Sequence, residues 1–560
     1  MPRPDAQLCV GSPRFADSSL QSAVADRGLP ATWTIALANA PREALAGVEG
    51  DFAVGLREAS GRTVLAVDRF GIRTLCYRVE GGAIRFAERA DALADPGHEL
   101  DPQAIFDYLY FHAIPSPRTT FKDIHRLPAG HYALFEEGRV VVEPYWTPVF
   151  EEARQPDLPA LREEFRELLK GAVKRQLDGS KPACFLSGGT DSSTVAGMIR
   201  DAAGVPAATY SIGFEAEGYD EMAYARIAAR HFGTDHHEYY VTPDDLVRGI
   251  GPVARHYDQP FGNSSALPAY YCAKMAREDG VTRILAGDGG DELFGGNSRY
   301  AMQRIFGAYV RLPRALRHGV LEPVLLRTPV AGVPLLRKSA SYVKQANTPM
   351  PDRLQNYNLL LRLGVGEVLE PGFLSRVDCE LPLSQQRETW AQASTASELN
   401  RTLAYDWRYT LAESDLPKVS MTTQLAGLAV GYPMLDNALV DFSLRLPESY
   451  KLRGLKLRWF FKEALRGFLP DAVIAKKKQG FGLPFGVWLT RHEALRRLAS
   501  DSLASLATRG IVRPEFVGTL LGHRVREHPA YYGEMVWILM MLEQWLQGHA
   551  PCANLGDAVL

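Results

Sequence analysis

Leu186-Ser187-Gly188-Gly189-Thr190-Asp191-Ser192-Ser193 lies directly between two runs of opposite character. Before it, Ala183-Cys-Phe-Leu reads as a short buried strand; after it, Asp191 to Arg200 reads as a helix. Two glycines let the backbone curl close to an anion, and the helix offers unpaired N–H groups and a positive dipole end. Ser187, Ser192 and Ser193 add hydroxyl donors around the same point. A carboxylate in such a loop repels a phosphate unless a cation lies between them. Asp191 therefore points to Mg²⁺, which is held by few carboxylates plus phosphate oxygens. The loop lacks the Gly-Lys-Ser/Thr ending of a Walker A motif, so γ-phosphate transfer is not the obvious chemistry. A serine-rich helix cap after a glycine turn is the bland alternative.

Moving outward, strand and helix patterns alternate. Ala207 to Gly213 is strand-like, Glu221 to Phe232 helical and His237 to Val241 strand-like; a helix begins near Asp244, and Arg283-Ile-Leu-Ala-Gly closes the series. Alternation of this kind predicts an α/β, doubly wound parallel sheet with ligands at the carboxyl ends of its strands. One such end carries Ala286-Gly287-Asp288-Gly289-Gly290-Asp291-Glu292-Leu293-Phe294-Gly295-Gly296. This glycine-rich turn can approach a nucleotide, and Asp291 is a candidate second ligand for the metal. Two such loops at matching ends of one sheet disfavour a pair of merely solvated turns. Beyond about Asn297 the chain reads as helical without clear strands, ending in a core helix over Met535 to Leu546.

The first 146 residues read as β-rich. Asp51 to Leu56, Thr63 to Asp68 and Ala83 to Ala87 are short strands, and His131 to Val142 is a hairpin. Glu151 to Pro159 is a plausible linker, followed by a helix marked by Leu161, Phe165, Leu168, Leu169, Ala172 and Val173. The expected division is 1–150 and 151–560.

The loops Ser187 to Ser192, Ser211-Ile-Gly-Phe-Glu, Gly233-Thr-Asp-His-His-Glu and Gly287 to Gly296, with Pro433-Met-Leu-Asp and Lys476-Lys-Lys-Gln-Gly-Phe, resemble the synthetase domain of asparagine synthetases. The resemblance runs in order from about Gly50 to Leu546. It implies an ATP pyrophosphatase domain that cleaves ATP between its α and β phosphates, forms an acyl-adenylate and lets an amine displace AMP. By matching position, Leu186, Ser187, Gly188, Gly189, Asp191, Ser192, Ile212, Ala286 and Gly287 would border ATP. Asp191 and Asp291 would hold Mg²⁺ on the pyrophosphate. Lys478 would face the adenylate and neutralise charge on the α-phosphate; Lys476 and Lys477 are left as surface or pyrophosphate-steering charges.

The same resemblance implies an N-terminal glutaminase-type, Ntn-hydrolase-like sandwich, and here the chain departs from it. Such domains begin with a cysteine whose free α-amine activates its own thiol. This chain begins Met1-Pro2-Arg3, Cys9 is internal, and the glutamine-holding segments before Gly50 are missing. Asp68 matches a glutamine-contacting position, but without the nucleophile a structural role is expected. A second departure is Ala429 and Gly431, where the family carries Glu and Arg. That Glu is expected to position or deprotonate the amine; Glu413 and Asp415 are candidate substitutes.

Composition bounds the remaining classes. Lys plus Arg total 63 against 65 Asp plus Glu, so no global field recruits nucleic acid or a membrane. Six scattered cysteines indicate neither a zinc site nor a disulfide framework, and with no signal-peptide pattern a cytoplasmic setting is expected. The expectation is an ATP- and Mg²⁺-dependent ligase joining a small-molecule or peptide carboxylate to ammonia or an amine. A homodimer is compatible with the sequence. The rivals are a glutamine-hydrolysing asparagine synthetase, a non-catalytic paralogue acting as a scaffold, and a tRNA-modifying pyrophosphatase, which would want a basic face.

Overall fold

The computed structural model describes residues 7–154, 156–216, 218–327, 334–477 and 482–556. Its centre is a five-stranded sheet in the order Asp235–Val241, Ala208–Phe214, Ala183–Phe185, Arg283–Leu285, Ala429–Gly431, with every pair parallel. The chain starts in the middle, winds to one edge, then returns to the other side of Ala183–Phe185. The order therefore reverses between Ala183–Phe185 and Arg283–Leu285, and loops leaving the carboxyl ends of such neighbours enclose a crevice. Both glycine-rich loops emerge there.

The fifth strand corrects the expectation of a strandless region after Asn297. Three residues, Ala429-Val430-Gly431, are too few to show a period-two pattern. They become a strand because the edge of Arg283–Leu285 supplies partners, with the Ala286 N–H donating to the Gly431 carbonyl at 2.9 Å. The helices fall close to the predicted ones: Leu158–Gln176, Thr190–Ala203, Met222–Phe232, Pro243–His256 and Pro529–His549. The Met535 to Leu542 run is fully buried inside the last of these, as a core helix should be. No helix among the described residues is long and apolar enough to cross a membrane.

The N-terminal part contains two antiparallel sheets. One has the order Gln7–Gly11, Phe52–Arg57, Thr63–Val67, His131–Glu136, Arg139–Pro144; the other pairs Ala83–Ala87, Cys76–Glu80 and His125–Arg126. Alternate residues of the first sheet face opposite ways. Ala53, Leu65 and Val67 pack on Tyr77, Ile84 and Phe86 of the second sheet, while Val54, Val64 and Ala66 pack under Trp33, Leu37 and Leu45. Burial on both faces explains why Phe52 to Leu56 is apolar without alternation. Helix Pro102–Phe111 leaves these sheets and packs on the C-terminal core, its Tyr108 hydroxyl donating to the Ile538 carbonyl at 2.8 Å.

Candidate functional site

Helix Thr190–Ala203 begins at Gly189, a cap residue with no side chain to accept from the helix's first N–H groups. Gly188 takes φ +69°, and a Cβ there would lie 2.4 Å from the Ala225 nitrogen, so only glycine lets the loop pass. The Ser187 N–H donates to Ser192 Oγ at 3.1 Å, and the Gly189 N–H to Ser187 Oγ at 3.3 Å, which ties the two hydroxyls into the turn. The second loop presses onto this one. A Cβ on Gly287 would meet the Ser192 nitrogen at 2.9 Å, and one on Gly290 would meet Asp191 Oδ1 at 2.2 Å.

This close approach brings Asp191 and Asp291 to one sheet edge, where both engage Arg458. Its Nη2 pairs with Asp191 Oδ1, and its Nε lies 3.3 Å from Asp291 Oδ1. The guanidinium is buried, which opposes its charge, yet Asp191 and Asp291 raise its pKa above the usual arginine range. Arg458 itself holds φ +53°, an uncommon conformation for a residue with a side chain, and one that marks functional sites. Arg458 went unread in the sequence, where Leu457-Arg458-Trp459 carries no motif; a backbone angle gives no sequence signal outside glycine.

Two cavities meet at this pair. One, of about 820 Å³, is lined by Ser187, Gly189, Asp191 and Asp291 with a cationic wall of Lys456, Arg458, Lys462, Arg466, Lys476 and Lys477. The other, of about 370 Å³, shares Ser187, Asp191, Ser192 and Asp291, and adds Leu186, Ile212, Gly287, Asp288, Asp415 and Lys418. Of the expected ATP-bordering residues, Leu186, Ser187, Gly189, Asp191, Ser192, Ile212 and Gly287 thus line these cavities. Gly188 and Ala286 lie behind them, Ala286 being fully buried. Lys478 lies outside the described residues. Lys476 pairs with Glu221 at 3.1 Å and stands 4.7 Å from the centre of the Tyr224 ring.

Three readings change. Ala429 lines a different cavity, between the N-terminal part and the parallel-sheet part, at the amino end of its strand. An acid at 429 would sit at the opposite end of this three-residue strand from the phosphate loop. Gly431 is likewise hemmed in: a Cβ there would meet Gln176 Oε1 at 2.5 Å. Glu413 is no free base. It accepts from the Ser116 N–H at 2.9 Å and hydroxyl at 2.6 Å, and pairs with partly buried Arg126. Asp415, two residues on, does reach the second cavity, because residues two apart on a helical turn, here Trp407–Asp415, point to nearly opposite sides. There Lys418 Nζ contacts Asp415 at 3.1 Å and Asp288 at 3.4 Å. Burial opposes the Lys418 charge, but the two acids raise its pKa, while burial raises that of Asp288.

The N-terminal part holds no comparable site around Asp68. Its buried carboxylate accepts from the backbone N–H groups of Phe52, Phe70, Ile72 and Arg73 at 3.0 to 3.3 Å, and burial pushes its pKa up to about 6. The adjoining cavity measures only about 20 Å³. Cys9 lies in the first sheet, with burial raising its thiol to about 11.

The profile of the family described as "Asparagine synthase" matches residues 164–547, and that of the "Glutamine amidotransferase domain" matches residues 35–146. The chain is 25% identical to asparagine synthetase [glutamine-hydrolyzing] 1 of Bacillus subtilis, over 86% of this chain and 74% of that one. It is 23% identical to asparagine synthetase [glutamine-hydrolyzing] 3 of the same organism, over 78% and 67% of the two chains. It is 24% identical to amidase chyE of Penicillium rubens, over 79% and 70%. The fold, the paired glycine loops and these matches define the class: an ATP-dependent ligase of the amide-forming kind, with an N-terminal glutaminase-type domain. The chain belongs to the asparagine synthase family.

Proposed function

We propose that this enzyme adenylates a carboxylate, releasing pyrophosphate, and couples the acyl group to ammonia or an amine without hydrolysing glutamine. The meeting of Asp191 and Asp291 at an uncapped helix N-terminus carries the reading. Two convergent carboxylates are the oxygen donors a hard divalent cation takes, so the residues present fit Mg²⁺; bound there, it would shield the charge of the phosphates. Leu186 and Ile212 border the base and ribose, and Ser187, Gly189 and Ser192 hold the phosphates by N–H and hydroxyl groups. The cationic wall from Lys456 to Lys477 receives the departing pyrophosphate, and Lys478, assigned by the family resemblance alone, neutralises the α-phosphate.

The division into a degenerate glutaminase-like domain, 1–150, and a synthetase domain, 151–560, belongs to this reading. It is supported by Asp68, whose oxygens are taken up by four backbone donors, and by the high pKa of the Cys9 thiol. A thiol held near 11 is almost wholly protonated at neutral pH and is a poor nucleophile. The test is ATP–pyrophosphate exchange with a panel of carboxylic acids. Acid-dependent exchange is expected; ADP as the nucleotide product would refute the adenylation step.

A further inference from the structure

The described residues expose fifteen large apolar side chains, and six of them fall within 302–324: Met302, Val310, Leu312, Leu316, Val320 and Val324. Three consecutive helical pieces, Arg314–Leu316, Arg317–Leu321 and Glu322–Arg327, carry the last three. A spacing of four is close to one helical turn, so Leu316, Val320 and Val324 form a stripe along one side. Leu321 and Leu325, one position further round, turn inward onto Phe306, Tyr309, Val343 and Ala346. The inner side holds these helices to the protein, while Val320 and Val324 stay 53% and 52% exposed. Apolar surface gathered in this way marks an interaction site.

The surrounding charge indicates what covers it. Residues 302–347 hold eight Lys and Arg against one acid, Glu322, in a chain whose net charge is −2. That acid is already engaged: it accepts from the Tyr309 hydroxyl at 3.2 Å and the Asn347 amide at 3.0 Å, and His318 lies 2.8 Å from it. Arg311 and Arg314 stand between the exposed Val310 and Leu316, and Lys338 and Lys344 lie on the adjoining helix Pro334–Asn347. All four are exposed, and none makes an ion pair among the described residues.

Two copies of this patch would repel each other, which disfavours self-pairing. Protein interfaces are anchored on aromatic side chains, and the exposed apolar residues of this patch include none. Aliphatic side chains flanked by long cations, whose stems can lie along apolar surface while their charges stay in water, suit the boundary layer of a bilayer. Anionic headgroups supply the counter-charge that the protein itself lacks here.

We infer that this patch docks the enzyme on an anionic lipid surface. Leu312, Leu316, Val320 and Val324 enter the headgroup boundary, and the cations beside them meet lipid phosphates. The protein lies on the bilayer without crossing it, in keeping with the lack of a long apolar helix among the described residues.

Co-sedimentation of the full-length protein with vesicles tests this. Phosphatidylcholine vesicles containing about one-third phosphatidylglycerol should carry the protein down, and pure phosphatidylcholine should not. Leu316→Gln combined with Val320→Gln should abolish sedimentation, because the apolar and cationic signals are each too weak alone. Arg311→Gln combined with Arg314→Gln should weaken binding about 25-fold, since each cation near such a surface contributes about a factor of five. Raised salt should act in the same direction. Val141→Gln, at a similarly exposed valine on the strand Arg139–Pro144, should bind as the wild type does. All these positions are exposed, so circular dichroism and melting temperature should stay those of the wild type.

No sedimentation with anionic vesicles, or equal sedimentation with neutral ones, overturns the inference. Capture by immobilised polyglutamate without vesicle binding overturns it in favour of an acidic protein partner. A dimer dispersed by Val320→Gln, again without vesicle binding, overturns it in favour of a second copy. Vesicle binding that survives Leu316→Gln with Val320→Gln places the lipid contact elsewhere and refutes the role of this patch.

Discussion

Asp191 and Asp291 come from loops at the ends of neighbouring strands, and both close on the guanidinium of Arg458, through its Nη2 and Nε. Neither acid would reach the other without the glycines between them. The places where Cβ atoms of Gly290 and Gly296 would stand are filled by the carboxylates of Asp191 and Asp291. A site built this way is set for charge that arrives with the substrate. Its aspartates are held in place by an arginine that lines the same cavity.

Asp191→Asn and Asp291→Asn are each expected to lower ATP–pyrophosphate exchange by about 10²–10³ or more, the usual loss on removing one preorganised charge contact. Circular dichroism should remain that of the wild type, since the amide still accepts from Arg458. Wild-type exchange at saturating Mg²⁺ in either variant would disprove the shared cation site.

Lys478→Ala is expected to reduce turnover by about 10²–10³ while the KM for ATP changes little. Lys477→Ala should be mild. Lys476→Ala should cost stability through loss of the Glu221 pair and the Tyr224 contact more than it costs the chemical step. Equal kinetic losses at all three would indicate a diffuse patch and sink the assignment to Lys478.

Glutamine is expected to support amide formation no better than an equal concentration of ammonium, with no glutamate released. Cys9→Ser should leave turnover unchanged, because the thiol lies in a sheet with its pKa raised to about 11. Glutamate production coupled to ATP consumption would overturn the reading of the N-terminal domain.

Glu413→Ala takes the ion-pair partner from largely covered Arg126, which keeps its bond to the Ile114 carbonyl at 2.6 Å, so the loss should stay below the about 3–5 kcal/mol typical of a fully buried pair. The expected result is a marked fall in denaturation midpoint, with the milder Glu413→Gln retaining turnover at low temperature. A Glu413→Gln variant of normal stability and no activity would restore Glu413 as a base.

Lys451 is fully buried, which lowers its pKa to about 7 against the opposing effect of Glu152 and Glu448; its Nζ donates to Asn400 Oδ1 at 2.8 Å. The unfolded chain keeps this proton up to about pH 10. Between those values the unfolded state binds more protons than the folded one, so this group makes stability rise with pH. Melting temperatures of wild type and Lys451→Met, compared from pH 7 to about pH 10, should differ in slope, the variant being flatter. Parallel curves would show that Lys451 does not titrate in this window.

The sheet was legible in the sequence because its strands alternate with helices long enough to show a period. Asp235–Val241 and Ala208–Phe214 each span seven residues, and the glycines around Asp191 and Asp291 can be read one residue at a time. Ala429–Gly431 was not legible, since three residues carry no period and exist as a strand only through the neighbouring edge.

The same contrast runs through the site. The local sequence determined which loops bend toward an anion and which acids they carry, because φ freedom and helix starts are properties of a few adjacent residues. Only tertiary structure decided what those acids meet. Arg458 reaches Asp191 from far along the chain, Glu413 is committed to Arg126, Ala429 faces the interdomain cavity, and Asp415 joins Asp288 through Lys418. Charge pairing acts over a few ångströms in space and is indifferent to separation along the chain, so residue order alone cannot reveal it.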